Sequence, residues 1–133
     1  IGNIYDGTGN PDDLVVPVDK IADCIEHLQE VAKDYNFKLM CLAHAGDGNL
    51  HFQILKCDMS DEQWEDELER FHKEAYAYVY SLGGRISGEH GIGAKKLAAM
   101  ETYTDPVELE IMRTIKRAMD PNNILNPGKV FNV

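Results

Sequence analysis

The chain carries no CxxC pair, and its three cysteines, Cys24, Cys41 and Cys57, are an odd number. That argues against a disulfide scaffold and fits a reducing compartment. Cys24 and Cys41 lie among apolar neighbours and read as small core residues. No apolar run approaches the length needed to span a membrane, and no signal-peptide pattern is present. Basic charge is scarce: 13 Lys and Arg stand against 23 Asp and Glu, a net charge of −10. Nothing resembles a basic stripe, which argues against a nucleic-acid partner. There is no internal repeat and no low-complexity tract. What remains, 133 residues with 44% hydrophobic and 27% charged content, is ordinary for one globular domain able to bury a core.

The acidic excess gathers in 58–74, at Asp58, Asp61, Glu62, Glu65, Asp66, Glu67, Glu69 and Glu74. It reads as a solvated helix face, with a partner surface as the alternative. The chain starts at Ile1 and opens in a loop-like stretch to Pro11, which leads us to expect a fragment of a longer protein.

Residues 13–17 are β-prone. Asp19 is a fair N-cap for a helix over 20–34, with Ile21, Ile25, Leu28 and Val31 as its apolar stripe. Apolar runs at 37–43 and 52–55 flank Asp47-Gly48, a hairpin signal. Ser60 and Gln63 form a capping box for a helix reaching Leu82, lined by Trp64, Leu68, Phe71, Ala75, Val79 and Leu82. Gly83-Gly84 stops it. Tyr76, Tyr78 and Tyr80 read as flank and surface groups. His27 and His72, both on helices, read as exposed or hydrogen-bonded imidazoles. A short strand over 85–87 and a short helix near 93–101 follow, with Lys95 and Lys96 solvated. Asp105 caps a last helix that has Pro106 at its first position. Its stripe is Leu109, Ile111, Met112, Ile115 and Met119, and Pro121 ends it. The tail 122–129 is too turn-rich for an element. This order predicts an α+β fold, a small antiparallel sheet with helices on one face, like a ferredoxin-like split β-α-β unit.

Two motifs carry chemistry. In His44-Ala45-Gly46-Asp47-Gly48-Asn49-Leu50-His51, two histidines flank a glycine-rich turn. In Gly88-Glu89-His90-Gly91-Ile92-Gly93, a Glu-His pair sits between glycines. Strands pairing across the turn place His44 and His51 at one hairpin mouth, within reach of one ion at about 2.0–2.1 Å each. Glu89 supplies a carboxylate, completing the ligand set of a catalytic metal site with an open position. His90 is left as an acid/base. The bland alternative is that both hairpin histidines are simply exposed or hydrogen-bonded.

These motifs, with Asp120-Pro121 and Leu125-Asn126-Pro127-Gly128-Lys129, make the chain resemble the C-terminal domain of the FAD-linked 2-hydroxyacid dehydrogenases and oxidases. That group covers D-lactate dehydrogenase, glycolate oxidase and D-2-hydroxyglutarate dehydrogenase, flavoproteins of the vanillyl-alcohol-oxidase type. The resemblance runs from about Asp6 to Lys129.

The resemblance implies that residues 1–133 are the substrate and metal domain of a FAD-dependent oxidoreductase, with the FAD-binding domain elsewhere. The isolated chain is then expected to be colourless and inactive. The metal ligands fall on His44, His51 and Glu89, the ion being zinc, with manganese or iron as alternatives. The catalytic histidine falls on His90. The reaction is oxidation of a D-2-hydroxy acid to a 2-oxo acid with hydride passing to flavin. Gln53 falls where relatives place a substrate-contacting amide, or it packs as a strand residue. Asp47 and Asn49 shape the turn or support the ligand imidazoles, or touch substrate. Asn126 and Lys129 approach the flavin, or close the C-terminus. Relatives acting on diacids carry basic residues where this chain has Asn10-Pro11-Asp12-Asp13. Acidic groups there favour a monocarboxylate such as lactate or glycolate. An electron-transfer flavoprotein or an iron–sulfur subunit is the expected redox partner. The expected location is cytoplasmic, with peripheral membrane association of the whole enzyme as an alternative. The competing reading is a metal-binding or partner-docking module without redox chemistry of its own.

Overall fold

The computed structural model describes residues 9–133, so the opening 1–8, where the resemblance begins, lies outside the described residues. The elements are β1 (Gly9–Val15), α1 (Ile21–Val31), β2 (Lys38–His44), β3 (Asn49–Leu55), α2 (Asp61–Ser81), α3 (Leu97–Tyr103) and α4 (Pro106–Met119). The chain divides into two compact units between Glu89 and His90.

In the first unit the strands form an antiparallel sheet in the order β1-β3-β2. β1 and β2 therefore run parallel to each other on either side of β3, joined through α1, which is the split β-α-β arrangement expected. The expected strand over 85–87 is only one antiparallel bridge, Val15 to Arg85, with both backbone hydrogen bonds made at 2.8 and 2.9 Å. Three residues between Gly84 and Gly88 are too few for a ladder. The class remains α+β.

β1 starts earlier than 13–17 and takes in Gly9 to Pro11. Pro11 is tolerated because β1 lies at a sheet edge. Asp19 does not cap α1: it lies in a single 3₁₀ turn, Val18–Lys20, and α1 has no side-chain cap. The helix expected over 20–34 ends at Val31 and tightens into a 3₁₀ turn, Ala32–Asp34. Its buried face centres on Cys24 and Leu28, with Ile21, Ile25 and Val31 only half-buried.

Strand alternation gives the sheet two unlike faces. Leu50, Phe52 and Ile54 of β3 are fully buried, with Leu14 of β1 alongside. Phe71, Ala75 and Val79 of α2 are buried with them. Phe71 meets Phe37 and Tyr35 edge-on, at centroid distances of 5.0 and 5.7 Å. Each such large side chain contributes about 1.5–3 kcal/mol on full burial. Cys24 belongs to this interior and Cys41 is half-buried, and burial pushes both thiols up to about 11.

α2 opens with the expected capping box between Ser60 and Gln63. Its predicted face is buried at Trp64, Phe71, Ala75 and Val79. Tyr76 is a correction: it is buried, and its ring stacks on His72 at 5.2 Å. His72 lies 3.5 Å from the buried carboxylate of Asp12. His27 stacks on Tyr78 at 3.7 Å. The acids of α2 face solvent, and several pair with cations of the same chain, as Asp61 does with Lys56, Asp66 with Arg70 and Glu69 with Lys73.

In the second unit, α3 begins at Leu97, later than expected, and Lys96 is buried rather than solvated. Asp105 caps α4 by accepting from the backbone N–H groups of Val107 and Glu108 at 2.8 and 3.2 Å. Of the expected core stripe only Leu109 is buried; Ile111, Ile115 and Met119 are exposed and Met112 is half-buried. The tail forms no element. It is folded onto the buried Asp120 carboxylate, which accepts from Ile124 N–H at 3.0 Å and Leu125 N–H at 2.9 Å and pairs with Lys116. Those donors hold the Asp120 carboxyl below the usual carboxylate range, Lys116 foremost. No described helix is long and apolar enough to cross a membrane.

Candidate metal centre

The hairpin carries the site because of its register. His44 closes the turn opposite Asn49, and Leu42 lies opposite His51. His44 and His51 are therefore diagonal neighbours on the same sheet face, the one turned away from the Phe52 core. Their ring centroids are 5.1 Å apart at an interplanar angle of 89°. The turn between them needs Gly48, which has φ of +81°. A Cβ there would fall 2.0 Å from the Val16 carbonyl oxygen. Asp47 shapes the same turn, its Oδ1 accepting from Asn49 N–H at 3.1 Å.

Glu89 arrives from the segment after the Arg85 bridge. Its Oε1 lies 2.9 Å from His51 Nε2 and 3.7 Å from His44 Nε2. One ligand atom from each of the three side chains falls within 4.8 Å of the others. For an ion with ligands at 2.0–2.1 Å, a tetrahedral site needs ligand atoms about 3.3 Å apart. The two measured distances bracket that value. A plain ion pair would account for the His51 contact but leaves the second imidazole aimed at the same carboxylate oxygen beyond hydrogen-bond range. The donor set of two imidazoles and one carboxylate, half open to solvent, fits a divalent transition ion with a free position.

Three further residues shape this corner. Asn49 is buried, and its Oδ1 has no hydrogen-bond partner among the described residues. Gly88 lies directly against it: a Cβ on Gly88 would meet Asn49 Oδ1 at 2.5 Å. The third is Asp13, opposite His51 in the β1–β3 register and only 2% exposed. Its Oδ2 accepts from Ser87 Oγ at 2.8 Å and from the N–H groups of Gly88 and Glu89, both at 3.0 Å.

Asp12 and Asp13 are a further correction. Expected as acids turned toward substrate, both are buried, at 4% and 2%. Asp12 lies by His72 and Asp13 holds the Glu89 segment. The electrostatic argument for a monocarboxylate therefore has no support from these two groups. The signal for their true role is an acidic pair directly before the apolar run Leu14-Val15-Val16, a pattern that burial permits only with donors nearby.

Gln53 is half-buried, two residues beyond His51 and on the same face. His90 is the first residue of the second unit and is exposed. Asn126 and Lys129 are exposed residues of the C-terminal turns, where both line one small cleft within that unit. Asn126 has φ of +50°.

Comparison with known proteins gives a consistent picture. The chain is 47% identical over 118 residues to a D-lactate dehydrogenase of Archaeoglobus fulgidus, covering 89% of this chain and 26% of that protein. It is 39% identical to a D-lactate dehydrogenase of Anaerostipes hadrus, covering 89% of this chain and 25% of that protein. Against the glycolate oxidase subunit GlcD of Bacillus subtilis it is 37% identical, covering 90% and 25%. The chain thus spans about a quarter of the length of the curated relatives it matches. The model of the family described as FAD linked oxidases, C-terminal domain, matches residues 6–130. The match takes in the hairpin, the Glu89 segment and the tail, and the chain belongs to that family of FAD-linked oxidase C-terminal domains.

Proposed function

We propose that this chain is the substrate- and metal-binding part of a FAD-dependent D-2-hydroxyacid dehydrogenase or oxidase, with the FAD-binding domain outside residues 1–133. The observation that carries the reading is the convergence of His44, His51 and Glu89 ligand atoms within 4.8 Å. Lactate and glycolate appear in the names of the relatives above, and a small 2-hydroxy monocarboxylate is the substrate class we assign. The two imidazoles and Glu89 hold a divalent ion, zinc before manganese or iron. When bound, the ion supplies Lewis acidity to the substrate's hydroxyl and carboxylate, and the family's FAD supplies the hydride acceptor.

The remaining work belongs to side chains. His90 takes the hydroxyl proton onto a ring nitrogen and holds it, a role suited to an imidazole near neutral pH. Gln53, on the same sheet face as His51, offers an amide to the substrate. Asn49 and Asp47 keep the turn in place. Asn126 and Lys129 are assigned to the flavin side. The acids of α2 are met by the chain's own Lys56, Arg70 and Lys73, so no observation favours a docking module over an enzyme part.

The test is the metal content of the purified chain by mass spectrometry, beside a His44→Ala/His51→Ala variant and a His90→Ala variant. One divalent ion per chain is expected in the wild type and in His90→Ala, and none in the double variant. Metal lost in His90→Ala would make His90 a ligand. No metal in the wild type, with the fold intact, would overturn the site.

A further inference from the structure

We propose that Asp13 is a positioning residue for the metal centre, acting by fixing the backbone that presents Glu89. The inference rests on the metal reading of His44, His51 and Glu89. It goes beyond it by placing a control point in a different strand.

The hairpin histidines are set by their own turn, seven residues apart. Glu89 has no such local frame. It follows the single Arg85 bridge, with glycines at Gly84 and Gly88, and glycine leaves the backbone many conformations. Something must choose one. Asp13 Oδ2 accepts from three successive residues, through the Ser87 hydroxyl and the Gly88 and Glu89 amides. Two consecutive N–H groups held on one oxygen fix both peptide planes around Gly88, and with them the position of the Glu89 Cα. Gly88 is pressed against Asn49 from the other side, leaving no room for a Cβ. The segment is thus gripped between β1 and β3.

Placement explains why the grip matters at the ion. Asp13 is opposite His51. Both side chains leave the same sheet face, Asp13 to hold the backbone of Glu89 and His51 to meet its carboxylate at 2.9 Å. A shift of the Glu89 backbone is therefore read directly as a change in ligand distance. Charge matters too. A carboxylate accepting from N–H and O–H donors makes bonds roughly twice as strong as a neutral amide oxygen does. An asparagine at this position would keep the shape while weakening the grip, and if its amide turned, it would set a donor against donors. Outer partners that orient metal ligands typically change affinity about 10–100-fold when lost.

The experiment compares this chain with Asp13→Asn, Ser87→Ala and His44→Ala/His51→Ala variants. It reads Zn²⁺ affinity by chelator competition, the visible spectrum of bound Co²⁺, and amide exchange of Gly88 and Glu89 without metal. The expected result for Asp13→Asn is about 10–100-fold weaker Zn²⁺ binding, an altered Co²⁺ spectrum and faster exchange at both amides, with far-ultraviolet dichroism unchanged. Ser87→Ala removes one of the three described donors and should lie between it and the wild type. It also decides the matter if Asp13→Asn fails to fold, since unchanged affinity and exchange in Ser87→Ala would then overturn the proposal. Wild-type affinity and an unaltered Co²⁺ spectrum in a folded Asp13→Asn would overturn the positioning role while leaving the metal reading intact. A wild type that binds no Zn²⁺, like the double-histidine control, would overturn both.

Discussion

The two compact units obey the same rules of periodicity and meet them with different outcomes. In the first, the apolar faces of β3 and α2 are buried at Leu50, Phe52, Ile54, Phe71, Ala75 and Val79, because a sheet and two helices offer facing surfaces. In the second, α4 has an equally regular pattern, yet Val107, Ile111, Ile115 and Met119, each four residues after the last, are exposed. Only Leu109 is fully covered. A periodic stripe says that a helix has an apolar side; whether anything covers that side is decided by elements elsewhere in the chain or outside it.

The sharpest way to break the contrast is a truncation at the centre of the first unit. Phe52→Ala should cost about 3–5 kcal/mol in urea unfolding; a cost below about 1 kcal/mol would mean that the sheet is not the stabilising core. Next comes metal. All three proposed ligands lie in the first unit, so a divalent ion at a hundredfold excess over its dissociation constant should stabilise that unit by about 2.7 kcal/mol. Amide exchange should slow around His51 and Glu89 and stay unchanged at Leu109. Uniform slowing across both units would contradict the division. Ser60→Ala removes the capping side chain of α2 and should cost about 1 kcal/mol, measured by the same unfolding.

Acid should act locally on the second unit. The Asp120 carboxyl titrates below its ordinary value, as does Glu101, held by the Asn132 N–H and by Arg113. A depressed folded-state pKa contributes stability that is complete above the unfolded-state value and is lost as pH falls through the folded one. The protection of the Ile124 and Leu125 amides against exchange, relative to the unstructured rate, should therefore fall below about pH 4, and Asp120→Asn should remove that dependence. Smallest of all, Ile115→Ser should change stability by no more than about 0.5 kcal/mol. A loss near 2 kcal/mol would show the stripe to be covered after all.

Much of the first unit is legible in its amino-acid order alone. The hairpin, the Ser60 capping box and the face of α2 follow from local chemistry between near neighbours in the chain. So do the three ligand candidates, since two histidines about a turn and an acid between glycines are unusual in themselves. What stays hidden depends on partners distant in sequence. The strand over 85–87 shrinks to one bridge because its flanking glycines allow no ladder. Tyr76 is inside, stacked on His72, which lies by Asp12 sixty residues earlier in the chain. An acidic side chain in a strand, such as Asp13, looks like a surface charge until its three donors, more than seventy residues away, are known.

That last separation also sets an order of events. His44 and His51 come together when one short turn closes, a microsecond step for a hairpin. Glu89 is held against them by Asp13 only when a contact 76 residues apart in the chain has formed. A closure of that length carries a larger entropic cost and waits on the non-local strand pairing of β1 with β3. During refolding the chain should therefore pass through a form with two imidazoles and no carboxylate. Tight metal capture would then mark the completion of folding in the first unit, and a stopped-flow metal indicator would time it.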